Sequence, residues 1–151
     1  MTDVAKVVTV LGTAPVAWTV VLAVAAAIGA RGRRAEALWL LVGLALTIVF
    51  VHRLKAWTDR PRPDHPLVAT DGSSFPSGHT AYAAAYVAAA LALRRRALVI
   101  AAVAITVAVA WSRVELRAHF VTDTLGGAGL TALCFAATGL VVARLRHNGE
   151  A

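Results

Sequence analysis

Apolar residues run along this chain in five long blocks, separated by short arginine clusters or by polar stretches. Val7 to Ala30 carries no charge and exceeds the roughly 20 helical residues that cross a hydrocarbon core of about 30 Å. Ala35 to Leu54 follows, then a block from the Phe75-Pro76-Ser77-Gly78-His79 turn to Leu93, then Ala97 to Trp111, and last Thr124 to Ala143. The fourth block is short and spans only if its helix continues to about Arg113. Backbone groups in hydrocarbon must be paired within their own segment, so every block is predicted to be helical. The pattern predicts an all-α, polytopic membrane helical bundle of about five transmembrane helices.

Composition agrees with that solvent. The chain is 59% hydrophobic with a mean hydropathy of +0.71, against roughly 45–50% apolar residues in an ordinary soluble domain. No linker, repeat or low-complexity tail divides it, so residues 1–151 are read as a single membrane-embedded domain. Cys134 is the single cysteine and lies in an apolar run; it reads as a small packing residue, with no internal disulfide and no metal cluster. Met1 to Ala30 is read as a retained span: its apolar run is long for a secretory signal, and Asp3 with Lys6 makes a weak basic start.

Basic residues set the orientation. If all five blocks cross, Arg31, Arg33 and Arg34, the Arg94 to Arg96 loop, and Arg144 with Arg146 share one side, which is predicted to be cytoplasmic. The connections His52 to His79 and Arg113 to Asp123 then lie outside, yet they too are basic, against the rule. Ionisable groups at a membrane are costly and tend to face one another or a polar cavity. Lys55, Arg62, Arg113, His79, His119 and Asp123 therefore outline an anion pocket. Singly, each has a plainer reading. Lys55 and Arg113 can snorkel to headgroups, Pro61 and Pro63 can stop a helix, and Ser77 can cap one.

Together they make a phosphate site. A helix starting near Ser77 points free N–H groups and a positive dipole end outward, and Gly78 permits close approach of an anion. Lys55 adds a point charge, and Arg62 and Arg113 can each clasp two oxygens. His119 and Asp123 are four apart, so on a helical turn the carboxylate sits beside the imidazole and can fix its tautomer. Such a histidine can act as nucleophile or base, leaving His79 as a proton donor. Tyr82 and Tyr86, also four apart, are read as packing or interface residues, and Gly126, Gly127, Ala128 and Gly129 as a close-packing strip inside the chain.

Lys55, six residues, Arg62-Pro63; Pro76-Ser77-Gly78-His79; then Ser112-Arg113, five residues, His119, three residues, Asp123: this order and spacing resembles the three-part signature of the type 2 phosphatidic acid phosphatase superfamily, which includes the vanadium haloperoxidases. The resemblance implies a metal-independent phosphatase without cofactor. In it His119 would form a phosphohistidine, Asp123 would orient it, and His79 would protonate the leaving oxygen. Lys55, Arg62, Ser77, Gly78 and Arg113 would hold phosphate oxygens. Two departures stand out. Glu115 and Arg117 occupy positions where many members carry Tyr and Gly, which predicts a looser turn before His119 with Arg117 reaching headgroups. Five blocks also fall one short of the six-span bundle of many bacterial relatives.

The implied substrate is a lipid phosphate whose tail stays in the bilayer: a polyprenyl diphosphate first, such as undecaprenyl diphosphate, with phosphatidic acid and phosphatidylglycerol phosphate also compatible. The expected location is the inner membrane, with the site on the extracytoplasmic side and the loop Pro63 to Phe75 shaping selectivity. Expected partners are the lipid and the bilayer, with no nucleic acid; a second copy of the chain could cover the exposed side. A lipid phosphotransferase, a vanadate-dependent haloperoxidase and a non-catalytic lipid-binding protein are the alternatives.

Overall fold

The computed structural model describes residues 1–149, the side chain of Arg146 excepted, and among them all regular structure is helical. The elements are α1 (Thr2–Val10), α2 (Ala14–Gly29), α3 (Arg34–Thr58), α4 (Gly78–Ala92), α5 (Arg96–Glu115) and α6 (Val121–Gly149). Three of them, α3, α5 and α6, are long and apolar enough to cross a membrane, and α1 with α2 makes a fourth candidate span bent by 44°.

Two expectations change here. The first apolar block is not one straight helix: it breaks at Leu11 to Thr13, and α2 restarts behind a Thr13 cap with Pro15 in its first turn, where a missing N–H costs nothing. The third block is helical where expected, but as α4 it has only 15 residues, a rise of about 22 Å, and is not among the helices long enough to cross. The fourth block does continue past Arg113, to Glu115.

α4 is the centre of the bundle. Its tyrosines and all its alanines but Ala84 are buried, with Ala81, Ala83 and Ala85 fully so, and α2, α3, α5 and α6 all pack against it. Without a hydrophobic force between helices in lipid, close approach of small residues is what holds such a bundle together. Gly127 on α6 carries this furthest, since a Cβ there would lie 2.4 Å from the Ser77 carbonyl oxygen. At Gly126 it would lie 2.3 Å from the Phe75 ring, whereas nothing approaches Gly129 within 4 Å. The small-residue strip thus packs inside the chain at its first two glycines and leaves the third open. On α3, Gly43 seats the Phe135 ring of α6, which stands edge-on to Trp39 at 5.4 Å.

The two ends of the bundle differ in chemistry. At one, Arg33 pairs with Glu36 and donates to the Ala92 carbonyl at 2.7 Å, and Arg94 lies 3.6 Å from Glu36. At the other, the long connection from Asp59 to Ser77 folds back over the helix ends. Thr58 and the Arg60 N–H converge on the Ser73 hydroxyl, the Ser74 N–H donates to the Arg60 carbonyl at 2.9 Å, and Leu67 N–H donates to the Leu116 carbonyl at 3.0 Å. Tyr86 donates to the Leu11 carbonyl, which fastens the α1–α2 break to α4.

The turn before His119 is tight, contrary to expectation. Arg117 adopts φ +52°, the conformation a glycine would take there, and the N–H groups of Ala118 and His119 both reach the Arg113 carbonyl, at 3.0 and 3.2 Å. Its side chain points to the surface. A non-glycine residue in this region costs on the order of 1 kcal/mol. Thermal melts in detergent are expected to rank Arg117→Gly at or above wild type and Arg117→Val below it, since a β-branched residue tolerates positive φ least. Gly127→Ala is expected to lose about 1–3 kcal/mol through overpacking, while Gly129→Ala melts with wild type.

Candidate active site

A cavity of about 460 Å³ opens beneath the long connection. α3 contributes His52 and Lys55, the connection contributes Arg62 and residues 69–73, α4 contributes Gly78, His79 and Tyr82, and the α5–α6 turn contributes Arg113 and His119. Six of the expected site residues, Lys55, Arg62, Gly78, His79, Arg113 and His119, therefore line one space.

Three cations are gathered where they repel one another, and backbone oxygens hold them. Lys55 Nζ donates to the Ser73 carbonyl at 2.5 Å. Arg62 spends its fork on the carbonyls of Asp71 (2.7 Å), Gly72 (3.1 Å) and Ala118 (2.8 Å), so it clasps the connection to the α5–α6 turn. Burial lowers its pKa from the ordinary guanidinium value. Arg113 is 5% exposed, and its Nη1 donates to the hydroxyl of Thr9 on α1 at 2.9 Å. Its Nε is buried without a partner, and His119 Nδ1 is the other such atom among the described residues. Buried polar groups are rarely left so, and both belong to residues that line the cavity.

His119 is held by its turn rather than by its carboxylate. Nδ1 lies 3.6 Å from Asp123 Oδ2, beyond hydrogen-bond reach, while Nε2 lies 3.4 Å from Arg62 Nη1. Asp123 is fully buried and is engaged elsewhere: Oδ2 accepts from the Phe120 N–H at 2.8 Å and Oδ1 from Arg60 at 2.7 Å. The expected His119–Asp123 hydrogen bond is therefore not formed here. Burial first, then the positive fields of Arg113, Arg62 and Lys55, push the His119 pKa down to about 3. The imidazole is consequently neutral, with Nε2 carrying a lone pair or a proton as its tautomer dictates.

Ser77 takes the plainer of its two readings. Its hydroxyl accepts from the Thr80 N–H and hydroxyl at 3.5 and 3.2 Å, and it is fully buried behind Gly78. The cap frees the first N–H groups of α4, at Gly78 and His79, which have no partner within the helix. Its own N–H donates to the Asp123 carbonyl at 2.9 Å, so the α4 start is tied directly to the α6 start.

Several participants were missed. Arg60, one position before Pro61, both pairs with Asp123 and lies 4.8 Å over the Phe120 ring. Its signal was the need of a buried carboxylate for a counter-ion. Thr9 lies some hundred residues from the cation it contacts, and Tyr82, which packs in the core as expected, also lines the cavity. Of the loop residues expected to shape selectivity, Asp71 and Gly72 line the cavity, and Asp64 and His65 do not.

Comparison with known proteins places this architecture. The chain resembles phosphatidylglycerophosphatase B of Bacillus subtilis, with 44% identity over 54% of this chain, and spans 46% of that protein's length. Among solved structures, the transmembrane PAP2-type phosphatidylglycerolphosphate phosphatase of Bacillus subtilis aligns with a TM-score of 0.83 and 32% identity, over 95% of this chain and 77% of that one. Aquifex aeolicus LpxE shares the fold, with a TM-score of 0.76 and 20% identity over 91% of this chain and 84% of its own. Residues 36–147 match the PAP2 superfamily, and with the lysine, arginine and histidine positions already gathered around one cavity, the chain belongs to that family of membrane proteins.

Proposed function

We propose that residues 1–151 act as one membrane-embedded phosphatase domain that removes the terminal phosphate of a lipid through a phosphohistidine at His119. The observation that carries this reading is the convergence of Lys55, Arg62 and Arg113 on the cavity that holds a neutral, buried His119. Three fixed cations and the α4 N-terminus match the charge of a phosphoryl group in transfer, for which positioning and electrostatic stabilisation supply most of the catalysis.

In the proposed reaction the His119 Nε2 lone pair attacks phosphorus as the bond to the lipid oxygen breaks, and that oxygen takes a proton from His79, whose pKa burial and then Arg113, Lys55 and Arg62 lower to about 4 and the negative charge of the bound phosphate raises again. Nδ1 then carries the proton of a phosphorylated imidazole, and Asp123, 3.6 Å away, closes on it as the ring becomes cationic. Contacts of this kind tighten once substrate is bound. Water next gives a proton to His79 and attacks phosphorus, releasing inorganic phosphate and restoring His119. Lys55, Arg113 and the Gly78 N–H bind the equatorial oxygens, Arg62 joins them by exchanging a carbonyl contact for a phosphate oxygen, and Ser77 acts behind them by capping α4. No divalent cation is needed in this scheme, since the charge is supplied by side chains.

The two Bacillus subtilis relatives named above act, by their names, on phosphatidylglycerol phosphate, which makes it the first substrate to test. A polyprenyl diphosphate and phosphatidic acid present the same terminal phosphate to the same cations. The proposed setting is the inner membrane, with the cavity on the side opposite the Arg31 to Arg34 and Arg94 to Arg96 loops.

Purified protein in detergent with EDTA is expected to release phosphate from at least one of these three lipids, and His119→Ala to lower the rate at least 10³-fold, the scale on which loss of a covalent nucleophile acts. Phosphate release from none of them by folded wild-type protein would sink the hydrolase reading. The ionisation of His119 gives a separate check. Because its folded pKa of about 3 lies below the ordinary 6.5, the neutral ring stabilises the fold above pH 6.5, and this contribution is lost as pH falls from there toward 3. Histidine NMR of labelled protein, assigned with His119→Ala, is expected to show a neutral ring from pH 8 to pH 5 and an upward shift of its titration on adding phosphate.

A further inference from the structure

The cation that ends α5 is oriented by a helix outside the family-matched region. Residues 36–147 carry the match, yet the side chain that accepts from Arg113 Nη1 is Thr9, at 2.9 Å. α1 reaches that place because the chain bends by 44° between α1 and α2. The bend is seated closely. A Cβ on Gly12 would stand 2.7 Å from the His79 carbonyl oxygen and 2.7 Å from Val109 Cγ1, and Leu11 accepts from Tyr86. The end of α1 is thereby registered against the start of α4 and the last turns of α5 at once.

We propose that Thr9 is a positioning residue for phosphate capture. A guanidinium has five N–H donors in a fixed plane, so anchoring Nη1 from one side sets the direction of all the others. The buried Nε–H is left with no protein partner, and the same fixed plane sets where the remaining donors lie relative to the cavity that Arg113 lines. Thr9 itself is not among the residues lining that cavity; it acts through Arg113. Without its hydroxyl, Arg113 would lose the contact that opposes repulsion from Arg62 and would retain several orientations, of which one suits the bound phosphate. The cost should fall on binding of the anion rather than on the chemistry at His119.

This inference rests on the phosphatase reading for its catalytic consequence, but binding of inorganic phosphate tests it independently. Isothermal titration of the full chain in detergent with inorganic phosphate would compare wild type, Thr9→Val, which keeps the shape and removes the acceptor, and Thr9→Ser, which restores it. Thr9→Val is expected to bind phosphate about tenfold more weakly, the scale of one hydrogen bond to a charged group, with a similar rise in KM for the lipid and little change in kcat. Thr9→Ser should stay near wild type, and Thr9→Val should add nothing in an Arg113→Ala background. Should Thr9→Val melt early, Thr9→Ala removes the same acceptor without the added methyl and carries the comparison. Unchanged phosphate affinity on losing the hydroxyl, equal loss in Thr9→Ser, or full additivity with Arg113→Ala would overturn the proposal. Wild-type protein that binds phosphate but hydrolyses no lipid would remove the hydrolase reading and leave the Thr9 comparison decisive. Wild-type protein that binds none would overturn the Thr9 proposal and leave the hydrolase reading to the release assay.

Discussion

Like charges held together in a low-dielectric place are what this bundle has to support. Lys55, Arg62 and Arg113 share one cavity, and the buried carboxylate beside His119, Asp123, is already engaged by Arg60 and the Phe120 N–H. What keeps the cations in place is mostly dipolar: carbonyls at Asp71, Gly72, Ser73 and Ala118, and the Thr9 hydroxyl. Carbonyls can only be aimed this way if the connection carrying them is rigid. The long segment from Asp59 to Ser77 is therefore stitched to the helix ends through Ser73, Ser74 and Leu67 rather than left as a free loop.

The same demand explains the central helix. α4 must bring Gly78 and His79 to the cavity floor and still be surrounded by four other helices. Alanine at most of its positions allows that, and Gly127 lets α6 approach the Ser77 carbonyl. Ser77 N–H to the Asp123 carbonyl then joins the two helix starts directly. Cap, floor and buried carboxylate are in this way one rigid unit, with His119 suspended from the tight turn that Arg117 closes.

The sequence disclosed the helices and most of the site because both depend on local signals. Apolar blocks predict helices wherever the solvent is lipid, and Lys55, Arg62, His79, Arg113 and His119 stood out as charges that violated a topology rule. Partnerships were harder to read. Nothing in Thr9 marks it as a neighbour of Arg113, because that contact depends on the bend at Gly12 and on the register of α1 against α5. Arg60 could have been sought as the counter-ion of Asp123, yet its proximity follows only from how the connection folds back. The four-residue spacing of His119 and Asp123 suggested a hydrogen bond, whereas His119 lies in the turn before α6 and the 3.6 Å gap reflects that offset. Arg117 shows the reverse case: a missing glycine suggested a looser turn, and the hydrogen bonds to the Arg113 carbonyl outweighed the backbone preference.

The shortness of α4 has a consequence for the surrounding lipid. Arg33, at the start of α3, touches the end of α4 at Ala92, so the two helices are level at that end, while α3 has 25 residues and α4 has 15. The difference is worth about 15 Å of helix rise. The floor of the cavity is therefore recessed beneath the far end of α3. On the phosphatase reading a lipid headgroup must reach down past that end to be bound, and how far depends on the local thickness of the membrane, which varies with acyl length and saturation. Membrane composition thus becomes part of the working geometry, setting the depth at which a headgroup first meets the cations.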